Sequence, residues 1–323
     1  MHSMNSLYPW LEETWQLWKR NLENDTFTNS TLLIARDGLG ADQLVDHFSK
    51  ALMCTNDKSG ACGFCHSCGL MLSSNHPDVH FITPEKAGKN ISVDQIRQCN
   101  HTAQESSQLS GYRLFVIHPA EAMNESAANA LLKTLESPAN QCLFLLVTEK
   151  KEQLLPTIVS RCQQWTIKSP SSEDASSWVS NRLKRDIPRY AALLNENAPL
   201  KLETFIEQGH LERYASIENA MLSMAKGEDS FLVLLKPLSD GGIDALQWLW
   251  HLLCEAQKAH FEVCEDSGVT AAQQLSESMS YDLLYQQSQR LCQLIEQLRQ
   301  FSGLNQELMI SDWLIKFNEE VCL

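Results

Sequence analysis

Along the first 168 residues, short continuous apolar runs alternate with stretches in which apolar side chains recur every three or four positions, the pattern of strands alternating with helices. Leu11, Trp15, Trp18 and Leu22 recur at helical spacing behind Pro9, which suits a first turn, so an amphipathic helix is expected to open the chain. Thr31 to Ala35 is an apolar run ending in Arg36-Asp37-Gly38-Leu39-Gly40, and a helical pattern follows through Leu44, Val45, Phe48 and Leu52. Strand, glycine-bearing turn and helix open a nucleotide-binding α/β unit. Further strands are expected at Val79 to Thr83, Leu114 to Ile117, Cys142 to Val147 and Trp165 to Lys168. A helix carrying Val93, Ile96 and Leu109 is predicted behind the capping-box spacing Ser92-Val93-Asp94-Gln95. Two more are predicted over Asn124 to Glu136, stopped by Ser137-Pro138, and over Glu152 to Arg161. Five strands interleaved with helices predict a largely parallel five-stranded sheet covered on both faces.

The pattern changes at Ser169-Pro170-Ser171-Ser172, beyond which strand signals stop. Residues 173–208 predict two or three short helices, with Trp178, Val179 and Leu183 on one and Tyr190, Leu193 and Leu194 near the next. From residue 209 the helices lengthen, notably Leu246 to Phe261 and Tyr281 to Phe301. Trp248, Trp250 and Trp313 sit at helical spacing in acidic surroundings, which suits core or interface anchors better than base-stacking platforms. The 323 residues thus divide into an α/β domain at 1–168, a small helical domain at 169–208 and an all-α domain at 209–323.

Charge narrows the function classes. With 26 Lys plus Arg against 40 Asp plus Glu, the net charge is −14, opposite to that of a protein living by its own phosphate contacts. The acidity is concentrated late: residues 209–323 hold 7 basic and 17 acidic side chains, against 14 and 17 in residues 1–168. Apolar residues at 43% and charged residues at 20% exclude a mostly disordered chain. Met1 to Trp10 lacks the basic start and apolar run of a signal peptide, and no stretch approaches the roughly 20 apolar residues of a membrane span, so a cytoplasmic protein is expected.

Eleven cysteines in such a chain are expected to be thiols or metal ligands. Seven are scattered (Cys99, Cys142, Cys162, Cys254, Cys264, Cys292, Cys322), whereas Cys54, Cys62, Cys65 and Cys68 fall within fifteen residues, where chance places about half a cysteine. Two-residue gaps between the last three let a turn aim sulfurs at one ion, and four thiolates match tetrahedral zinc. A shell of four thiolates leaves no open position for water, so the metal's role is structural. An iron–sulfur cluster and reduced structural thiols are the rival readings, and His66, His76 or His80 could replace Cys54 as a ligand.

The glycine turn departs from a working phosphate loop. Gly-x-x-x-x-Gly-Lys-Ser/Thr wraps phosphates with backbone amides, meets them with Lys and holds magnesium with the hydroxyl. Here the eight residues are Ala35 to Asp42: Gly38 and Gly40 keep the turn, but Ala41 occupies the Lys position and Asp42 the hydroxyl position. An ATPase of this design also ends its third strand with Asp-Glu, whereas Phe115-Val116-Ile117 leads into His118-Pro119. Neither end of a hydrolytic site is present, and no ATP is expected on this chain.

Asn129-Ala130-Leu131-Leu132-Lys133-Thr134-Leu135-Glu136-Ser137-Pro138 and Ser160-Arg161-Cys162 resemble motifs of the bacterial clamp-loader AAA+ proteins of DNA polymerase III. The order of cysteine cluster, NALLKTLE helix and SRC carries this resemblance over most of the first 168 residues, while beyond them it is architectural only. The resemblance implies an AAA+ α/β domain with a zinc module at about residues 54–68, a helical lid and a helical collar joining five subunits into a ring. It further implies that Arg161, flanked by Ser160 and Cys162, reaches in trans to the ATP site of an adjacent subunit. A guanidinium suits that task, being always charged and forking onto phosphate oxygens. The implied partners are ATP-binding loader subunits of the gamma/tau type and the clamp-opening delta subunit, with the sliding clamp and primed DNA met through the assembly. Two other readings stay open: an ATPase in its own right, against which Ala41, Asp42, His118 and Pro119 speak, and a zinc-stabilised nucleic-acid-binding module, which the charge disfavours.

Overall fold

The computed structural model describes residues 7–321 except 58, 87, 110, 229, 262–269 and 302. Cys264, Cys322 and the first six residues of the Met1 to Trp10 segment lie outside the described residues. Two compact units divide between Pro170 and Ser171.

In the first unit, a short 3-10 turn at Pro9–Leu11 runs into α1 (Glu12–Glu23), which buries Trp15, Trp18 and Leu22. Then follow β1 (Ser30–Ile34), α2 (Ala41–Met53), α3 (His66–Leu72), β2 (Val79–Ile82), α4 (Val93–Gln104), β3 (Arg113–Ile117), α5 (Glu125–Glu136), β4 (Cys142–Thr148), α6 (Pro156–Val159) and β5 (Gln163–Thr166). All four strand pairings are parallel, in the order β2-β3-β4-β1-β5. Leu32, Phe115, Ile117, Phe144 and Leu146 join one buried cluster, and the alternate residues Leu33, Leu114, Val116, Leu143 and Leu145 are equally buried. Both sheet faces are therefore covered, which is why the central strands read as unbroken apolar runs.

Three expected boundaries shift for local reasons. The predicted strand at Trp165 to Lys168 is β5 at Gln163–Thr166, an edge strand whose exposed glutamines gave no apolar signal. The single helix expected over Glu152 to Arg161 is a 3-10 turn at Lys151–Gln153 followed by α6, because Pro156 can start a helix but not continue one. Leu109 does not ride on α4, which ends at Gln104. Beyond that end the buried carboxylate of Asp78 accepts the backbone N–H groups of Gln108 (2.7 Å) and Leu109 (3.0 Å), holding the chain as a loop.

The second unit is all helical: α7 (Ser172–Leu183), α8 (Arg189–Leu194), α9 (Pro199–Glu207), α10 (His210–Ala225), α11 (Leu232–Ala259), α12 (Thr270–Ser278), α13 (Tyr281–Gln300) and α14 (Gln306–Val321). One apolar cluster runs through it from Ala175 to Phe317. Trp248 and Trp313 are buried in it, while Trp250 remains 38% exposed. The expected helix at Leu246 to Phe261 is the latter part of α11, whose helical geometry breaks at Gly242. No helix among the described residues is long and apolar enough to cross a membrane.

Candidate functional site

Three groups of residues singled out by the sequence lie in the first unit, each at its own place. Cys54 caps the end of α2, Cys65 caps the start of α3, Cys68 lies in its first turn, and Cys62 sits in the loop between. Their four sulfurs lie within 4.8 Å of one another, and no imidazole belongs to the group. The Cys62 and Cys68 sulfurs are 3.9 Å apart. The edge of a sulfur tetrahedron around zinc, with bonds of about 2.3 Å, is about 3.8 Å, so the donor set fits a zinc ion. Backbone N–H groups already point at sulfur, from Cys62 to Cys54 (3.4 Å) and from Cys68 to Cys65 (3.3 Å). The Thr55 hydroxyl, then the Cys68 and Thr55 backbone N–H groups, hold the Cys65 thiol down at about 5, while burial pushes Cys68 up to about 12.

His76 has a different task. It is buried, its Nδ1 accepts the Asp78 backbone N–H at 3.2 Å, and its Nε2 lies 2.8 Å from Ser67 Oγ. Ser67 Oγ donates to Met53 O at 2.5 Å, so Nε2 carries the proton and donates to Ser67. Ser67 and His76 are thus no nucleophile and base, since the base nitrogen is already spent. They tie α2 and α3 to the entry of β2. His80 stacks on Phe115 with ring centroids 4.8 Å apart, and His66 is exposed on α3.

The glycine turn lies at the carboxyl end of β1. Gly38 (φ 79°) and Gly40 (φ 72°) both adopt left-handed backbone, and Gly40 is the N-cap of α2. Trp10 Nε1 donates to Leu39 O at 2.8 Å and the Tyr8 backbone N–H to Gln43 Oε1 at 2.8 Å, so the segment before α1 covers the turn. Asp42, in the first turn of α2, meets His118 at the end of β3, Oδ1 to Nδ1 3.2 Å. Donating a hydrogen bond to the Asp42 carboxylate raises the His118 pKa above the usual imidazole value, and the same bond lowers that of Asp42. Glu149 is pushed up by partial burial first and then by repulsion from Asp37 and Glu121, so carboxylates crowd this locus. A helix N-terminus that elsewhere receives an anion here carries its own.

Arg161 follows α6. Its Nε donates to Glu136 Oε1 at 2.7 Å, Nη2 donates to the same oxygen, and Nη1 donates to Thr157 O at 3.0 Å. Ser160 Oγ donates to Thr157 O at 3.1 Å. Cys162 packs into the core, and burial pushes its thiol up to about 12, which leaves it inert at neutral pH. Asp42 and His118 each stand out in the sequence as departures from a motif, but nothing along the chain announces that they pair. Glu136 stands out only as part of a helix motif, with nothing along the chain to join it to a residue 25 positions away.

Known proteins resemble this chain over nearly its whole length. Residues 10–171 match the family described as DNA polymerase III, delta subunit, and residues 208–319 its C-terminal counterpart. The DNA polymerase III subunit delta' of Yersinia pestis is 34% identical over 96% of this chain and 95% of its own length. That of Escherichia coli is 28% identical over 96% and 94%. A solved DNA polymerase III gamma subunit-related protein from Thermotoga maritima aligns with 95% of this chain and 99% of its own at 20% identity and a TM-score of 0.40. The parallel sheet with a glycine turn at the end of β1, followed by an all-helical unit, puts the chain in the class of α/β proteins built like nucleotide-binding ones. Within that class the chain belongs to the family of DNA polymerase III delta' subunits, accessory subunits of the replicative polymerase holoenzyme that act with other loader subunits.

Proposed function

We propose that this chain serves the clamp loader without binding or hydrolysing ATP, bracing the ring and lending Arg161 to the ATP site of a neighbouring subunit. The observation that carries the first half is the Asp42–His118 pair, which puts a carboxylate and an imidazole where a working site has its hydroxyl and metal ligands. Gly38 and Gly40 keep only the turn, Ala41 offers no cation, and Pro119 no ligand. For the second half, a partly exposed arginine next to the NALLKTLE helix is always charged and reachable.

The reading extends to the rest of the chain. Residues 1–168 act as the AAA+ domain, 169–208 as the lid and 209–323 as the collar, a division in keeping with family matches that end at 171 and resume at 208. Cys54, Cys62, Cys65 and Cys68 hold a structural zinc, on the strength of their tetrahedral spacing. The partners are ATP-binding subunits of the gamma/tau type and the clamp-opening delta subunit, with the sliding clamp and primed DNA engaged through the assembly, in the cytoplasm. Two measurements test this. Nucleotide titration of the isolated chain should give no saturable ATP binding. Arg161→Ala should leave incorporation into the loader intact while lowering its DNA- and clamp-stimulated ATPase rate by about tenfold or more. Tight ATP binding defeats the first half, and an unchanged rate defeats the second.

A further inference from the structure

We propose that Glu136 is a positioning residue for Arg161: it grips one side edge of the guanidinium and leaves the terminal edge turned out toward an oxyanion of a neighbouring chain. This rests on reading Arg161 as the arginine supplied in trans, and adds a residue that the Ser-Arg-Cys motif does not contain.

A guanidinium carries five N–H donors in one plane, one on Nε and two on each Nη. The Glu136 carboxylate takes Nε–H and one Nη2–H, and Thr157 O takes one Nη1–H. Because the group is a rigid fork, those contacts decide which donors remain. The Nε/Nη2 edge is spent on Glu136. Thr157 O, four residues before Arg161, takes one N–H of Nη1. One N–H on each Nη is left with no partner among the described residues, enough for two oxygens of a phosphate.

Both anchors are firmly based. Glu136 ends α5, which buries Leu131 and Leu135, and Thr157 lies in α6 beside the fully buried Ile158. The Arg161 backbone N–H donates to Ile158 O at 3.0 Å, and the next residue, Cys162, is buried. The pair itself is not sealed: the side chains of Arg161 and Glu136 are 31% and 50% exposed. An arginine held this way has already lost the rotamer freedom that a free side chain gives up on meeting its target. In the neighbour's reaction a water oxygen bonds to the γ-phosphorus as the bond to the β–γ bridging oxygen breaks, ADP leaves with the electron pair, and the water's proton passes to phosphate or solvent. Arg161 offsets charge on the oxygens, and Glu136 touches none of the reacting atoms.

The test uses the complete loader with clamp and primed DNA, comparing wild type, Glu136→Ala, Glu136→Gln, Arg161→Ala and the double alanine variant. Glu136→Ala is expected to lower kcat about threefold, the scale of a partly exposed Arg–carboxylate pair, with a smaller change in KM for ATP. Glu136→Gln keeps an oxygen that can accept from Nε and should fall between wild type and alanine. The double variant should match Arg161→Ala alone, because a residue acting only through Arg161 has nothing left to position. Wild-type kcat in Glu136→Ala, a raised kcat that would mark Glu136 as a competitor for the arginine, or losses that multiply in the double variant each overturn the proposal while leaving the role of Arg161 standing. A silent Arg161→Ala removes both.

Discussion

Asp42 and His118 each look like a damaged motif position, yet together they form a contact that a working site would not have. The sign of their pH dependence follows from their shifts. His118 has a raised pKa, so its contribution to stability is present below the usual imidazole pKa and is lost as pH rises through the raised value. Asp42 has a lowered pKa, so its contribution is present above the usual carboxylate pKa and is lost as pH falls through the lowered value. The pair is therefore fully formed in the mildly acidic window between them. Asp42 is 85% exposed, and solvent screening limits the pair to about 1 kcal/mol or less. Asp42→Asn is accordingly expected to change stability little but to lower the His118 titration midpoint, read from its imidazole resonances by NMR against pH. Glu121 and Glu149 also favour the imidazolium, so some elevation should survive. A midpoint that does not move on losing Asp42 contradicts the contact.

At the scale of elements, a feature is legible in the sequence when its cause is local. Ser92 and Gln95 form the capping box their spacing announces, with Gln95 N to Ser92 Oγ 3.3 Å and Ser92 N to Gln95 Oε1 2.9 Å. The cysteine cluster is equally readable, because its four cysteines fall within fifteen residues of the chain. The Glu136–Arg161 and Asp42–His118 contacts were not, because they depend on how distant segments meet. The break in α11 belongs between these cases: Gly241-Gly242 is visible, but its position inside a continuous helix comes from packing. Gly242 has φ 64° and ψ −148°, a conformation open almost only to glycine. The break lets Leu234 and Leu238 before it, and Ala245, Leu246 and Leu249 after it, all enter the same core. Gly242→Ala should therefore destabilise the protein by about 1–3 kcal/mol, measured by denaturant unfolding followed by far-ultraviolet circular dichroism. An unfolding midpoint equal to that of wild type would mean that α11 can run straight without loss.

For the whole molecule, the two units differ in what holds them. The second rests on one apolar cluster of helices from Ala175 to Phe317. The first combines a sheet core with a cysteine loop that has almost no apolar interior of its own: Phe64 and Leu72 are 80% and 61% exposed, and only Cys54 and Cys68 of the four cysteines are buried. On the proposed zinc reading, metal–thiolate bonds order this segment, which is poor in burial. Ser67 and His76 then carry that order from α2 and α3 to β2. Metal removal should consequently act on one unit only. After chelation under reducing conditions, hydrogen exchange of the full chain should quicken by about tenfold or more in peptides covering residues 50–82 and stay unchanged in α11 and α13. Cys65→Ser, which takes one sulfur from the tetrahedron, should give the same pattern without chelator and lower the bound zinc of the purified protein. Less than half an equivalent of zinc in the wild type, or equal acceleration in both units, would falsify the assignment of the cluster as a structural metal site of the first unit.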